Sequence, residues 1–148
     1  MIPIKELTVG SWVYDGDKTQ FPMYVCSVMH DGYVTLDFKG NEGMPWDSNA
    51  RDLKGIPLTE ELLEKIGLKD TFNGEKTLYS MMLKVSDKRH LSINVCLDCG
   101  SVSVADMTEA KFPEVNVRLC SYTTNVKFLH ELQNFIFLTT KQQLKVNL

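Results

Sequence analysis

Read for alternation, the first third of the chain is a succession of short period-2 runs. Trp12–Tyr14 follows a glycine break at Gly10. "PMYVCSVM" sets Met23 and Val25 against Tyr24 and Cys26, and "YVTLDF" sets Val34, Leu36 and Phe38 against Thr35 and Asp37. Alternation of this kind predicts strands with one buried face. "DGDKTQ", "HDG" and "KGNEG" separate the runs, because Asp, Asn and Gly accept the backbone angles of tight turns. "HDG" between two such runs predicts a hairpin. "DGD" at 15–17 reads as a solvated turn, since the other ligands of a calcium loop are missing. A small curled sheet or SH3-like barrel satisfies this pattern, and so does a plain meander packed on a helix; alternation alone does not fix closure.

The period then changes. "GIPLTEELLEKIGL" predicts a short helix with Thr59 as N-cap, Glu60 and Glu61 in the first turn, and Leu62, Leu63 and Ile66 on one face. Gly67 is placed to end it in a left-handed conformation, with Leu68 folding back on Leu63. Two turns do not hold in water alone, so this face must dock on a sheet. "TLYSMMLKVS", "HLSINVCL" and "SVSVAD" predict a second group of strands, and "EVNVRLCSY" can supply another. "NVKFLHELQNFIFLTT" predicts a longer helix. Leu129, Leu132, Phe135 and Ile136 form its apolar face, and Thr124 or Asn125 is its candidate cap. "LKVNL" alternates Leu144, Val146 and Leu148 and could close the sheet as an edge strand.

The fold class that follows is α+β. It has a mainly antiparallel N-terminal sheet, a short helix, and a second antiparallel region with a C-terminal helix packed on it. At 148 residues this is one domain, with a β-rich lobe at 1–57 and an α+β lobe at 58–148 as its natural division. A chain of this size buries roughly 70% of its unfolded surface and needs neither metal nor disulfide to fold.

Charge narrows the partners. Residues 1–66 carry six Lys/Arg against eleven Asp/Glu, and the rest carry ten against eight. Neither part has the dense basic stripe that phosphate neutralisation requires, which disfavours nucleic acid. No apolar run approaches the roughly 18–20 residues that cross a bilayer. The opening "MIPIKELTVG" lacks the basic-then-apolar order of a signal peptide. Four cysteines without an export signal read as reduced thiols. The expected location is the cytoplasm.

Two stretches resemble chemistry. Cys96 and Cys99 in "NVCLDCG" could form one knuckle of a zinc site, but structural zinc takes four ligands, and Cys26 and Cys120 form no second knuckle. A redox pair would open a helix, whereas "SVSVAD" follows as a strand. The bland reading, a small core residue and a turn thiol, is favoured. "HELQN" at 130–134 begins like His-Glu-x-x-His, which sets two histidines one helical turn apart on a metal. Asn134 occupies the second histidine's place, so the metalloprotease reading fails, and no metal or other cofactor is assigned. His130, Gln133 and Asn134 read instead as a polar strip on the helix, hydrogen-bonding backbone or a partner. The three histidines His30, His90 and His130 lie in different segments, and no catalytic residue is assigned. Trp12, Tyr14, Tyr24 and Trp46 concentrate aromatic surface in the N-terminal part. Such residues can line a peptide groove, though most aromatics of this kind are packing.

"IKELTVGSWVYDG", "GIPLTEELLEKIGL" and "VKFLHELQNFIFLTTKQQLKVNL" together resemble a family of small uncharacterised proteins encoded by gut anaerobic bacteria and by their prophages and mobile elements. The Phe128-Leu129-His130-Glu131-Leu132-Gln133-Asn134 core is the most specific of the three, and the CLDCG turn lies outside the pattern. The resemblance implies a bacterial or phage protein and carries over no catalytic residue. The leading reading is a non-enzymatic protein-interaction or accessory module whose partner is another protein, with homo-oligomers left open. One alternative is a nucleic-acid binder that uses the SH3-like part, which requires Lys84, Lys88, Arg89, Lys111 and Arg118 to share a face. The other is a zinc or thiol protein that uses Cys96 and Cys99.

Overall fold

The computed structural model describes residues 1–16, 21–72, 74–107 and 118–148, without the side chains of 118–120. The architecture is α+β, with two antiparallel five-stranded sheets and two helices. The chain divides into two compact units. The first comprises Met1–Pro57, Phe128–Asn134 and Leu148; the second comprises Leu58–Lys127 and Phe135–Asn147.

In the first unit a 3-10 turn (Ile4–Glu6) precedes β1 (Trp12–Tyr14), β2 (Met23–Val28), β3 (Tyr33–Asp37) and β4 (Trp46–Asn49). A second 3-10 turn (Ala50–Asp52) leads into β5 (Lys54–Gly55). The sheet order is β4-β3-β2-β1-β5. Because β5 returns to pair with β1, the sheet curls into a half-barrel with β4 and β5 at its edges. Of the two architectures left open by the alternation, the curled one is adopted, without full closure. The predicted inward set, Met23, Val25, Val34 and Leu36, is fully buried with Val13 and Leu53. Phe38 and Trp46 pack against that core from its rim. Asp15 is not solvated as the composition of "DGD" suggests, and Asp17 lies outside the described residues. Asp15 is only 2% exposed and accepts hydrogen bonds from Ser48 Oγ at 2.6 Å and Trp46 Nε1 at 3.3 Å. Those two donors lie on β4, too distant in sequence for a local reading to supply them.

The second unit holds α1 (Glu60–Lys65), β6 (Lys69–Asp70), β7 (Leu78–Ser86), β8 (Arg89–Cys96), β9 (Ser101–Asp106) and β10 (Arg118–Thr123), in the order β10-β9-β8-β7-β6. Tyr79 opposite Val95 opposite Val102, and Met81 opposite Ile93 opposite Val104, put one apolar row after another on the same face. Thr59 Oγ1 caps α1 by accepting from Leu62 N at 3.2 Å. Gly67, at φ +100°, ends the helix, and its amide and that of Leu68 donate to Glu64 O and Leu63 O. This is the left-handed C-terminal signal read from the sequence.

α2 (Leu129–Thr140) contributes to the first unit as far as Asn134 and to the second from Phe135. Leu129, Leu132 and Ile136 are fully buried as predicted, whereas Phe135 is only half-buried. The predicted caps are not used. Asn125 takes a positive φ of 63° before the helix begins, and Glu131 Oε2 instead accepts from the Phe128 amide at 3.1 Å. The tail after α2 forms no strand, although Leu144 is buried. The edges of the second sheet are β6 and β10, and the tail pairs with neither.

The entry to α2 constrains β5. Phe128 forms an isolated bridge with Pro57, and Leu129 N donates to Ile56 O at 2.9 Å. A Cβ on Gly55 would stand 2.5 Å from Phe128 Cγ, a clash with the base of the ring that no rotation of the ring relieves. Gly55→Ala is expected to destabilise the protein by about 1–3 kcal/mol, measured as a lower midpoint in urea unfolding.

Candidate functional site

The segment between Glu6 and β1 is backbone without a continuous strand partner, and the first turns of α2 supply what it lacks. The Trp12 amide donates to Gln133 Oε1 at 2.9 Å, and Gln133 Nε2 donates to Gly10 O at 2.9 Å. Asn134 Nδ2 donates to Glu6 O, and Thr8 Oγ1 donates to Asn134 Oδ1 at 3.2 Å. Buried and half-buried backbone groups need such partners, since leaving one unpaired costs about 1–3 kcal/mol. Gln133 and Asn134 are therefore occupied in joining two distant segments of the first unit.

That joining sets Glu6 beside the start of α2. Glu6, His130 and Glu131 each present a donor atom within 4.8 Å of the others. His130 is 2% exposed, and its Nδ1 has no hydrogen-bond partner. Its ring stacks on Phe128, with centroids 5.9 Å apart and planes inclined by 15°. Burial pushes the imidazole below its ordinary pKa, against the opposing pull of Glu131 and Glu6, which keeps it neutral at pH 7. The three residues line a cleft of about 340 Å³ that Lys54, Gly55 and Phe128 also line. Two carboxylates, a neutral imidazole and one lysine thus converge on a single concavity. An arrangement of this kind can hold a cation or donate and accept protons.

The other sequence-predicted residues fall elsewhere in the first unit. Trp12 is buried and packs its ring 5.4 Å from Tyr24. Tyr24 is half-buried; desolvation and then Asp37 push its phenol above the ordinary value. Tyr14 lies opposite Lys54 in the β1–β5 ladder. Trp46 belongs to an aromatic row, with Phe38 5.5 Å away and Phe38 in turn 4.8 Å from Phe21. The fold therefore brings Gln133 to the Trp12 backbone, packs the Trp12 ring on Tyr24, and leaves Trp46 to close the rim of the core. Sequence reasoning missed Glu6 and Lys54. Single acidic and basic residues near strands carry no local signal, and the only hint was that Glu6 and HELQN both fall in the stretches that carry the family resemblance.

In the second unit Cys96 ends β8 and Cys99 is exposed in the following turn, with its Sγ 2.9 Å from Ser101 Oγ. Both are free thiols. Hydrogen bonds from Cys96 and Ser101 hold the Cys99 thiol below its ordinary pKa, whereas burial pushes Cys26 up. Of the basic residues that the nucleic-acid reading requires, Lys84 pairs with Asp87 at 2.7 Å and Arg89 with Asp106 at 3.2 Å. Lys111 and the Arg118 side chain lie outside the described residues. No helix among the described residues is long and apolar enough to cross a membrane. No family model, curated protein or solved structure matches this chain.

Two outcomes follow from these contacts. Gln133→Ala should lower stability by about 1–3 kcal/mol, because the Trp12 N–H and the Gly10 carbonyl both lose a partner. Gln133→Glu should fall between it and the parent, since it keeps the acceptor and loses the donor; chemical denaturation ranks the three. For the thiols, timed iodoacetamide labelling followed by peptide mass spectrometry should modify Cys99 before Cys26. The difference should widen towards neutral pH, where the thiol of lowered pKa keeps the larger thiolate fraction. Ser101→Ala should slow Cys99 and leave Cys26 unchanged.

Proposed function

We propose that this chain is a non-enzymatic accessory protein whose first unit binds an extended apolar segment of a partner protein. The observation that carries the reading is a cleft of about 540 Å³ at the end of the β2–β3 hairpin. It is lined by Ile2, Ile4, His30, Asp31, Tyr33, Asn49 and Arg51 among others. Tyr33, in that lining, is 46% exposed, and Val28 and Met29, which precede the turn of the same hairpin, are 37% exposed each. Apolar side chains gathered at one place on a surface mark an interaction site more often than scattered ones do. β4, which ends at Asn49 in the cleft wall, is a sheet edge. An edge strand beside a groove accepts a peptide by strand addition, with main-chain bonds along the edge and side chains in the groove.

The partner is protein in preference to nucleic acid because Lys84 and Arg89 already face carboxylates and the first unit lies in the acidic part of the chain. A cytoplasmic setting is supported by the free thiols of Cys26, Cys96 and Cys99, which a reducing compartment preserves. The resemblance to proteins of prophages and mobile elements supports an accessory role in a bacterial host.

Selection of displayed random peptides on the immobilised protein tests the reading. Enriched sequences should be apolar and extended, with a Kd of roughly micromolar order. Met29→Glu and Tyr33→Lys should each weaken that binding about tenfold or more while thermal unfolding stays unchanged. Enrichment that is indifferent to both substitutions would remove the groove as the site.

A further inference from the structure

We infer that Glu6, His130 and Glu131 form a binding site for one divalent first-row metal ion of the Zn²⁺ or Mn²⁺ type. The inference stands on observations separate from the hairpin groove. The first is convergence. Three donors from two distant segments, the Ile4–Glu6 turn and the start of α2, lie within 4.8 Å of one another and line one cleft. Metal–donor bonds of roughly 2.0–2.2 Å place tetrahedral ligands about 3.3–3.5 Å apart. A small rotation of the half-exposed Glu6 side chain closes the remainder.

The second observation is the imidazole itself. His130 is 2% exposed, and its Nδ1 has no hydrogen-bond partner. Buried polar atoms are almost always paired, and a bound metal ion would give the buried His130 ring a partner. One imidazole nitrogen with two carboxylate oxygens suits first-row divalent ions better than Ca²⁺ or Mg²⁺, which prefer all-oxygen sites.

The third is support around the donors. Phe128 stacks on the His130 ring, and the Phe128 amide donates to Glu131 Oε2 at 3.1 Å. Asn134 Nδ2 binds the carbonyl of Glu6 and fixes that residue's backbone. Contacts of this type orient ligands and tune affinity. Lys54 lines the same cleft and is the competitor: its single charge balances one carboxylate, whereas a divalent ion balances both. Three protein donors leave a further coordination position open to the cleft.

The full-length protein, stripped with EDTA and dialysed, is titrated with MnCl₂, with free Mn²⁺ followed by its EPR signal, and with ZnCl₂ by calorimetry. One equivalent of Mn²⁺ should bind saturably. Glu6→Gln and Glu131→Gln should each weaken it at least about tenfold, and His130→Ala should abolish it. If His130→Ala fails to fold by circular dichroism, the near-isosteric Glu6→Gln decides. Cys96→Ser/Cys99→Ser should leave Mn²⁺ binding intact, which separates this site from the thiols of the second unit. The inference is overturned by no saturable binding of either metal up to about 1 mM. It is equally overturned by binding that survives both glutamine substitutions, or by binding that disappears with the two thiols.

Discussion

Two side-chain amides, Gln133 and Asn134, satisfy the backbone of residues 6–12, and the first unit depends on that connection. Without it the Trp12 amide, the Gly10 carbonyl and the Glu6 carbonyl would each need another partner, and none is local. An amide side chain is suited to this work because it donates and accepts at once, so one residue satisfies groups of both kinds. The interaction is directional as well. It sets which part of the N-terminal segment faces which turn of α2, and thereby brings the Glu6 carboxylate to His130.

That placement explains why ionisable groups meet in the cleft although the helix face beside it is apolar. Leu129, Leu132 and Ile136 are wholly buried, and their burial is the apolar driving force that seats the helix. His130, next to Leu129, is carried into the interior with them. A buried imidazole flanked by two carboxylates is pulled in two directions, desolvation favouring its neutral form and the acidic neighbours its charged one; here desolvation prevails. The outcome is a nitrogen base held neutral in a carboxylate-lined cleft by the same packing that holds the fold together.

Asp37 shows the opposite balance at a purely structural position. Burial pushes its carboxyl up, but hydrogen bonds from Asn41, Phe38, Gly43 and Tyr24 outweigh this and leave it below the ordinary value. The stability it contributes is therefore present above the usual carboxylate range and is lost as acid protonates it. Tethering the 38–44 turn in this way holds the approach to β4, whose far end forms the wall of the hairpin cleft.

Much of the architecture was legible along the chain because strands and helices announce themselves locally. Alternation located β1, β2 and β3, the Thr59 and Gly67 signals bounded α1, and the spacing of Leu129, Leu132 and Ile136 located the buried face of α2. Gln133 and Asn134 were legible as polar and hydrogen-bonding, but not their targets; His130, read as part of the same strip, is instead buried with its Nδ1 unpaired. What only the tertiary structure decided is everything that depends on contacts between distant residues: the return of β5 to β1 that curls the first sheet, the burial of Asp15 under Ser48 and Trp46, the missing strand at 144–148, and the meeting of Glu6 with His130 and Glu131. Periodicity reports which face of an element avoids water. It carries no information about which other element will cover that face, and a site assembled from both ends of a chain exists only once that pairing is made.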